Sequence, residues 1–260
     1  MKRTLLALWL TAALAGCTTT EPAPAAAPVQ PEEGTAVALP AFDLLRCDGQ
    51  DGFFLYDDAS VKAQLPPGYR PYTVQGVAGA LVRFQAMTCD AVVGSAVEER
   101  VPIVVTSVQV GPTTHYQFEW ILPMGRAPAL AGWLSQSGWP VVDAEIEFLP
   151  GLTAIRGDEV DYVLADGGGL AGGPIPASAT GGLIHLVHGH PETVRLDENS
   201  TIDDRGVTGS TPVLTATAGV LSAFGPGASG TASTGLGFLG MRQDSRFTVP
   251  VEDTVEPVRT

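Results

Sequence analysis

The residues best placed to do chemistry lie in Leu183-Ile-His-Leu-Val-His-Gly-His-Pro-Glu192. On an extended strand His188 and His190 project to one side, and Glu192 joins them if the strand runs past Pro191. Two imidazoles and a carboxylate on one face form a donor set for a divalent metal, the one cofactor these residues point to. A metal-dependent enzyme centred on His188 and His190 is then one reading. The other is a polar hairpin end with solvated histidines, because Gly189 favours a turn and Pro191 cannot donate to a ladder. His185 falls on the opposite strand face, and His115 is the only other histidine.

Carboxylates come second. Glu119, Asp143, Glu145, Glu147, Glu159 and Asp161 could supply a pair for glycoside hydrolysis if two were held about 5 to 9 Å apart. They alternate regularly with apolar residues, so a solvated strand face is the expectation. Tyr116, Phe118 and Trp120 could line an apolar pocket, with Tyr69, Tyr72, Phe84, Trp133 and Trp139 as further aromatics, although core packing is the commoner use. Gly235-Leu-Gly-Phe-Leu-Gly240 matches a dinucleotide-binding string. It lacks the following helix and half-fold that such a site needs. No GxSxG elbow, HExxH pair or phosphate loop occurs, so no catalytic residue is assigned.

The elements that must position these groups read mainly as strands. Tyr116, Phe118, Trp120 and Leu122 alternate with polar neighbours. So do Val142 to Phe148, and Val160, Tyr162 and Leu164, which is the period of a strand. Val101 to Val110 is apolar on both faces and reads as a central strand. Further strands are expected at 79–87, 183–187, 193–196, 213–217 and 246–249. Pro128 can open a helix with Leu130, Trp133 and Leu134 on one face and Gly138 just past its end. Asp58 could cap a short helix, Ala59 to Leu65, that Pro66-Pro67 stops. Many short strands with few helices predict a single curved β-barrel, cone or sandwich over residues 41–250.

The two ends read differently. Lys2 and Arg3, the apolar stretch Leu5 to Leu14 and the small pair Ala15-Gly16 have the order of a secretory signal, with about ten apolar residues against the roughly 20 of a spanning helix. Leu14-Ala15-Gly16-Cys17 resembles the lipobox of bacterial lipoproteins. That resemblance implies removal of residues 1–16, a diacylglyceryl thioether on Cys17 and an acyl chain such as palmitate on the new amino terminus. It implies a lipid-anchored chain on the extracytoplasmic side of a cell membrane or an outer membrane, with the bilayer as partner. Residues 17–40 carry five prolines after the cysteine and read as an extended tether of about 3.1 Å per residue. Residues 251–260 read as an acidic flexible tail.

Charge and cysteine content narrow the function. Loss of Lys2 and Arg3 would leave 12 basic against 28 acidic residues, a net charge near −16. A field of that sign repels phosphate backbones and excludes nucleic acid as a partner. With Cys17 acylated, Cys47 and Cys89 remain as a pair in an oxidising compartment, and a disulfide is expected. It would close a loop of about 42 residues and stabilise by roughly 4 kcal/mol on the loop-entropy model.

Two stretches carry a second resemblance. One is Leu65-Pro-Pro-Gly-Tyr-Arg-Pro followed by Gly76-Val-Ala-Gly-Ala-Leu-Val and Cys89. The other runs from Tyr116-Gln-Phe-Glu-Trp through Leu130 and Gly138 to Val141–Phe148. Their order and spacing resemble the acetoacetate decarboxylase-like superfamily, which implies a curved β-barrel or cone with a central cavity. Decarboxylases of that family use a lysine of depressed pKa as a Schiff base. This chain has only Lys2, which would leave with the leader, and Lys62. Arginine cannot replace lysine, because it stays protonated. The expectation is therefore a lipid-anchored module that binds a small apolar or weakly polar ligand without catalysis. Purely structural or interaction duty in the envelope is the remaining alternative.

Overall fold

Three long strands begin the fold. They are β1 (Ala41–Tyr56), β2 (Ala80–Val93) and β3 (Ala96–Gln109). Gly94 and Ser95 join β2 to β3, and Gly94 sits at φ 60°, as a two-residue hairpin turn requires. The computed structural model describes residues 41–72, 79–111, 116–120, 122–167, 180–188, 193–203, 207–224 and 231–248. The remaining strands are β4 (Tyr116–Glu119), β5 (Leu122–Met124), β6 (Val141–Asp143), β7 (Glu145–Leu149), β8 (Leu152–Arg156), β9 (Asp161–Ala165), β10 (Thr180–His188), β11 (Thr193–Asp203), β12 (Thr208–Ser210), β13 (Val213–Ala218) and β14 (Thr231–Thr248).

The pairing path runs β1-β2-β3-β4-β10-β11-β14, and β14 pairs back onto β1. Seven strands thus form a hydrogen-bonded circuit, antiparallel except for the parallel pair β4–β10. The opening residues of β14 leave the circuit and pair with β13, from which β9, β8 and β7 continue as a second layer. The mainly β, curved architecture expected from the sequence is therefore present.

Alternation along β2 shows how the layers are held. Ala80, Val82, Phe84 and Ala86 face Ile155, Tyr162, Leu164 and Leu214 of the second layer. Met87, Cys89, Ala91 and Val93 point the other way, into the circuit, with Phe42, Ile103 and Phe247. Each large side chain buried this way contributes about 1.5–3 kcal/mol. Cys47 and Cys89 form a disulfide within that inner core.

Helices are few. The first, α1 (Asp58–Lys62), is shorter than the sequence suggests. Its cap is Asp57, whose carboxylate accepts the Ser60 N–H at 2.9 Å, so Asp58 lies inside the first turn. The second, α2 (Pro128–Gln136), buries Leu130, Trp133 and Leu134 as expected, and Gly138 follows it at φ 81°. Glu98 of β3 accepts the N–H groups of Ala129 (2.8 Å) and Leu130 (3.0 Å) at the helix start. The carboxylate thereby satisfies two orphan donors at the positive end of the helix dipole. Among the described residues no helix is long and apolar enough to cross a membrane.

Candidate functional site inside the strand circuit

Because the circuit closes on itself, the strand face turned away from the second layer is also buried. One end of this interior is apolar. There Phe42 stacks on Phe247 with centroids 4.6 Å apart and meets Trp133 edge-on at 4.7 Å. α2 closes that end with Leu130 and Leu134, aided by Trp139.

Farther along the strands the interior turns polar. Gln85 donates to Gln243 Oε1 at 3.1 Å, and Gln243 donates to Glu198 Oε1 at 2.7 Å. The Ser245 hydroxyl donates to the same Glu198 oxygen at 2.6 Å. On β3 and β4 the Ser107 hydroxyl donates to Gln117 Oε1 at 3.0 Å. Register aligns Ser107 with Arg83 on one side and with Glu119 on the other. The Arg83 guanidinium forks onto Asp51, with Nε 2.9 Å from Oδ2 and 3.1 Å from Oδ1, and Nη2 2.8 Å from Oδ2. Burial works against the Arg83 charge. Asp51 foremost, then Glu198 and Glu119, outweigh it and raise the pKa. Arg83 therefore sits in the field of three carboxylates, with Asp51 in direct contact and its own side chain 11% exposed.

Between the polar belt and the apolar end lies a hollow of ≈ 30 Å³. Gln85, Glu198 and Gln243 line one side, and Leu130, Leu134 and Trp139 line the other. A volume of that size holds about one water. The wall formed by the strands is fixed by ladder hydrogen bonds. The wall formed by α2 is held by side-chain packing and the Glu98 contact.

The residues singled out from sequence fall in several places. Glu119, read as part of a solvated row, is only 2% exposed. The alternation was real, but its polar side faces the interior rather than water. Asp143, Glu145, Glu147 and Glu159 are exposed, as expected. Phe118 packs outside the circuit against Tyr69 and Trp120, and Trp120 lies past the end of β4, donating to the Gln64 carbonyl at 3.0 Å. For Tyr116 the backbone is described, as part of β4. His188 ends β10, whereas His190 and Glu192 lie outside the described residues, as does Cys17. Among the described residues no three His, Cys, Asp or Glu side chains gather as metal ligands. Lys62, the one lysine among them, is exposed on α1.

Asp51, Arg83, Gln85, Glu198 and Gln243 were not anticipated. Their signal was present in β2, where Arg83 and Gln85 interrupt the apolar run from Ala80 to Met87.

No family model matches the chain, and no curated protein matches it. Solved structures do. An acetoacetate decarboxylase from Legionella pneumophila aligns with TM-score 0.57 at 13% identity, covering 90% of this chain and 94% of that one. An acetoacetate decarboxylase-like enzyme from Sphingomonas wittichii gives TM-score 0.52 at 14% identity, over 86% and 97%. The enduracididine biosynthesis enzyme MppR, complexed with pyruvate, gives 0.50 at 13%, over 84% and 91%. At these identities the likeness establishes the acetoacetate decarboxylase-like fold and nothing finer.

Proposed function

We propose that this chain is a lipid-anchored, extracytoplasmic β module whose interior binds a small, weakly polar molecule without forming a covalent bond to it. The observation that carries the reading is the buried belt of Gln85, Gln243 and Glu198 set against an apolar wall. A few fixed polar groups beside apolar side chains orient a ligand in this way. The fold neighbours include enzymes, one of them bound to pyruvate. Schiff-base chemistry of the decarboxylase kind needs a desolvated lysine amine. Lys62 is in water on α1, outside the circuit, which favours binding over that reaction. A hollow of ≈ 30 Å³ admits a larger occupant only if α2 yields, so α2 and its Glu98 contact would control entry. The anchor part of the proposal rests on the sequence Leu14-Ala15-Gly16-Cys17.

Native mass spectrometry of the full chain from its own envelope tests the binding claim. A non-covalent small molecule that leaves on unfolding is the expected result. Incubation with pyruvate and cyanoborohydride should add no mass. A stable adduct on Lys62 would overturn the non-covalent reading. Metabolic labelling with radioactive palmitate should mark the wild type and not Cys17→Ser; equal labelling would remove the anchor.

A further inference from the structure

The second layer ends in an open edge. Among the described residues β7 pairs with β8 alone, through a hairpin whose turn is Pro150-Gly151. Leu149 and Leu152 flank that two-residue turn, so their pair exchanges ladder hydrogen bonds, as do Glu147 with Ala154 and Glu145 with Arg156. The N–H and C=O groups of Ile146 and Phe148 therefore point away from β8. Ala144 has the same parity, and its N–H donates to the Met124 carbonyl at 3.0 Å, at the end of β5. There β5 stops, and an open groove of ≈ 500 Å³ begins, lined by Met124, Arg126, Asp143, Ala144 and Glu145. Beyond Ala144 the edge of β7 is a strand position that no described strand fills.

The side chains along this edge alternate in chemistry. Asp143, Glu145 and Glu147 are exposed, whereas Ile146 packs on the core from the opposite face of β7 and Phe148, beside it, is 41% exposed. Asp158 and Glu159 are exposed in the turn after β8, where Gly157 comes close to the Asp143 carbonyl. These five carboxylates outnumber the two nearby cations, Arg126 and Arg156, and Arg156 already lies 3.7 Å from Glu147. A second copy of β7 is a poor occupant. Antiparallel pairing of Ile146 with Phe148 puts Glu147 opposite itself, and pairing of Ile146 with Ile146 puts Glu145 opposite Glu147. Like charges directly opposite each other destabilise a ladder. Pairing of Phe148 with Phe148 sets Pro150, which has no N–H, against Ile146. Cations in place of those opposing carboxylates turn the repulsion into attraction.

We propose that the β7 edge is a docking site for an extended basic segment of a partner protein. The segment adds a strand antiparallel to β7, sets lysine or arginine opposite Glu145 and Glu147, and lays an apolar residue against Phe148. Main-chain bonds to Ile146 and Phe148 supply affinity, and the side-chain pairs supply selectivity. The site lies outside the strand circuit and does not depend on the function assigned to its interior.

The test is an NMR titration of the full, isotope-labelled chain with the peptide acetyl-Lys-Val-Lys-Val-Lys-amide at low salt. Amide shifts should centre on Ile146 and Phe148. Glu147→Lys, at an exposed position that folding does not depend on, should weaken binding about tenfold. A peptide with glutamate in place of lysine should bind at least about tenfold more weakly as well. So should the lysine peptide N-methylated at both valines, which keeps the charge and removes the donors that face β7. Equal binding of the N-methylated peptide would reduce the contact to charge attraction and overturn the proposal. Unchanged affinity in Glu147→Lys, or shifts centred elsewhere, would overturn it too. Ile146 and Phe148 amides that move with the concentration of the chain alone would make a second copy the occupant, which is equally fatal.

Discussion

Two regions of this molecule are built from the same arginine–aspartate pairs and live in opposite surroundings. Inside the circuit, Arg83 and Asp51 have side chains 11% and 5% exposed. On the outer surface of β14, β1 and β3, Arg246 pairs with Asp43, while Arg242 and Arg100 share Asp48, and these arginines are 60–68% exposed. Charge and geometry are similar, but the alternative available to each partner is not. An exposed arginine that loses its carboxylate turns to water. Arg83, with its side chain only 11% exposed, has little water to turn to, so the inner pair is obligatory where the outer ladder is optional.

That contrast fails or holds first at Asp51. Asp51→Ala leaves a buried guanidinium without its partner, and a loss of about 3–5 kcal/mol is expected in urea unfolding. Replacing both residues, as in Asp51→Leu with Arg83→Met, should recover much of it, since the pair itself contributes little beyond its own desolvation cost. A loss below about 1 kcal/mol in the single variant would mean that the interior is wet, and the distinction between the regions would vanish. Next in size is the disulfide, which ties β1 to β2 between the two regions. Reduction, or Cys47→Ser with Cys89→Ser, should lower stability by about 2–4 kcal/mol. A midpoint unmoved by reductant would show that the ladder between β1 and β2 holds without it.

The same contrast explains what could be read from sequence and what could not. Period-two runs located β4, β7 and β9, and other apolar runs located β2, β3, β10, β11 and β13, whereas β1, β8 and β12 were not among the expected strands; Pro128 and Gly138 bracketed α2, and reading Cys17 as acylated left Cys47 and Cys89 to pair. These are local signals, and each is set by backbone geometry or by counting. Which face of a strand meets water is not local. In an open sheet the polar positions of β2 and β4 would face solvent, which is how Glu119 was read. Closure of β14 onto β1 joins the first and last of the described strands, and turns that polar face inward. No window of sequence contains that closure. The Asp57 cap missed by one residue is a smaller case, since Asp57 and Asp58 are chemically equal and only φ/ψ separates them.

Asp90 sits between the two regimes and sharpens the comparison through pH. Its side chain is buried, while its partner Arg46 is 76% exposed. The Asp90 carboxylate accepts the Arg100 backbone N–H at 2.9 Å and the Arg46 Nε at 2.6 Å. Both Arg46 and Arg100 occupy positive φ, at 51° and 53°, in irregular stretches of β1 and β3, so one carboxylate pins two strained turns. The Arg100 N–H foremost, then the Arg46 side chain, hold its pKa below the usual carboxylate value. A depressed carboxylate stabilises fully above its unfolded pKa of about 4, and the contribution is lost as pH falls through the folded value. Wild-type stability should therefore fall below about pH 4 more steeply than that of Asp90→Asn. Parallel curves for the two would show that Asp90 ionises as freely in the folded chain as in the unfolded one.

The smallest effect belongs to the outer ladder. Asp48 faces Arg100 Nη1 at 3.2 Å and Arg242 Nε at 3.5 Å, with all three side chains more than half exposed. Asp48→Asn should cost less than about 1 kcal/mol, because each arginine regains hydration when the carboxylate goes. Salt separates this from a packing effect. Raising ionic strength from about 0.1 to 1 M shortens the screening length from about 10 to 3 Å, so the wild type and Asp48→Asn should converge in unfolding midpoint. The Asp51→Ala deficit should largely persist at the same salt, because a charge only 11% exposed is screened much less. A salt-insensitive loss at Asp48 would place this carboxylate with the inner pair, and burial would no longer be what divides the two sets.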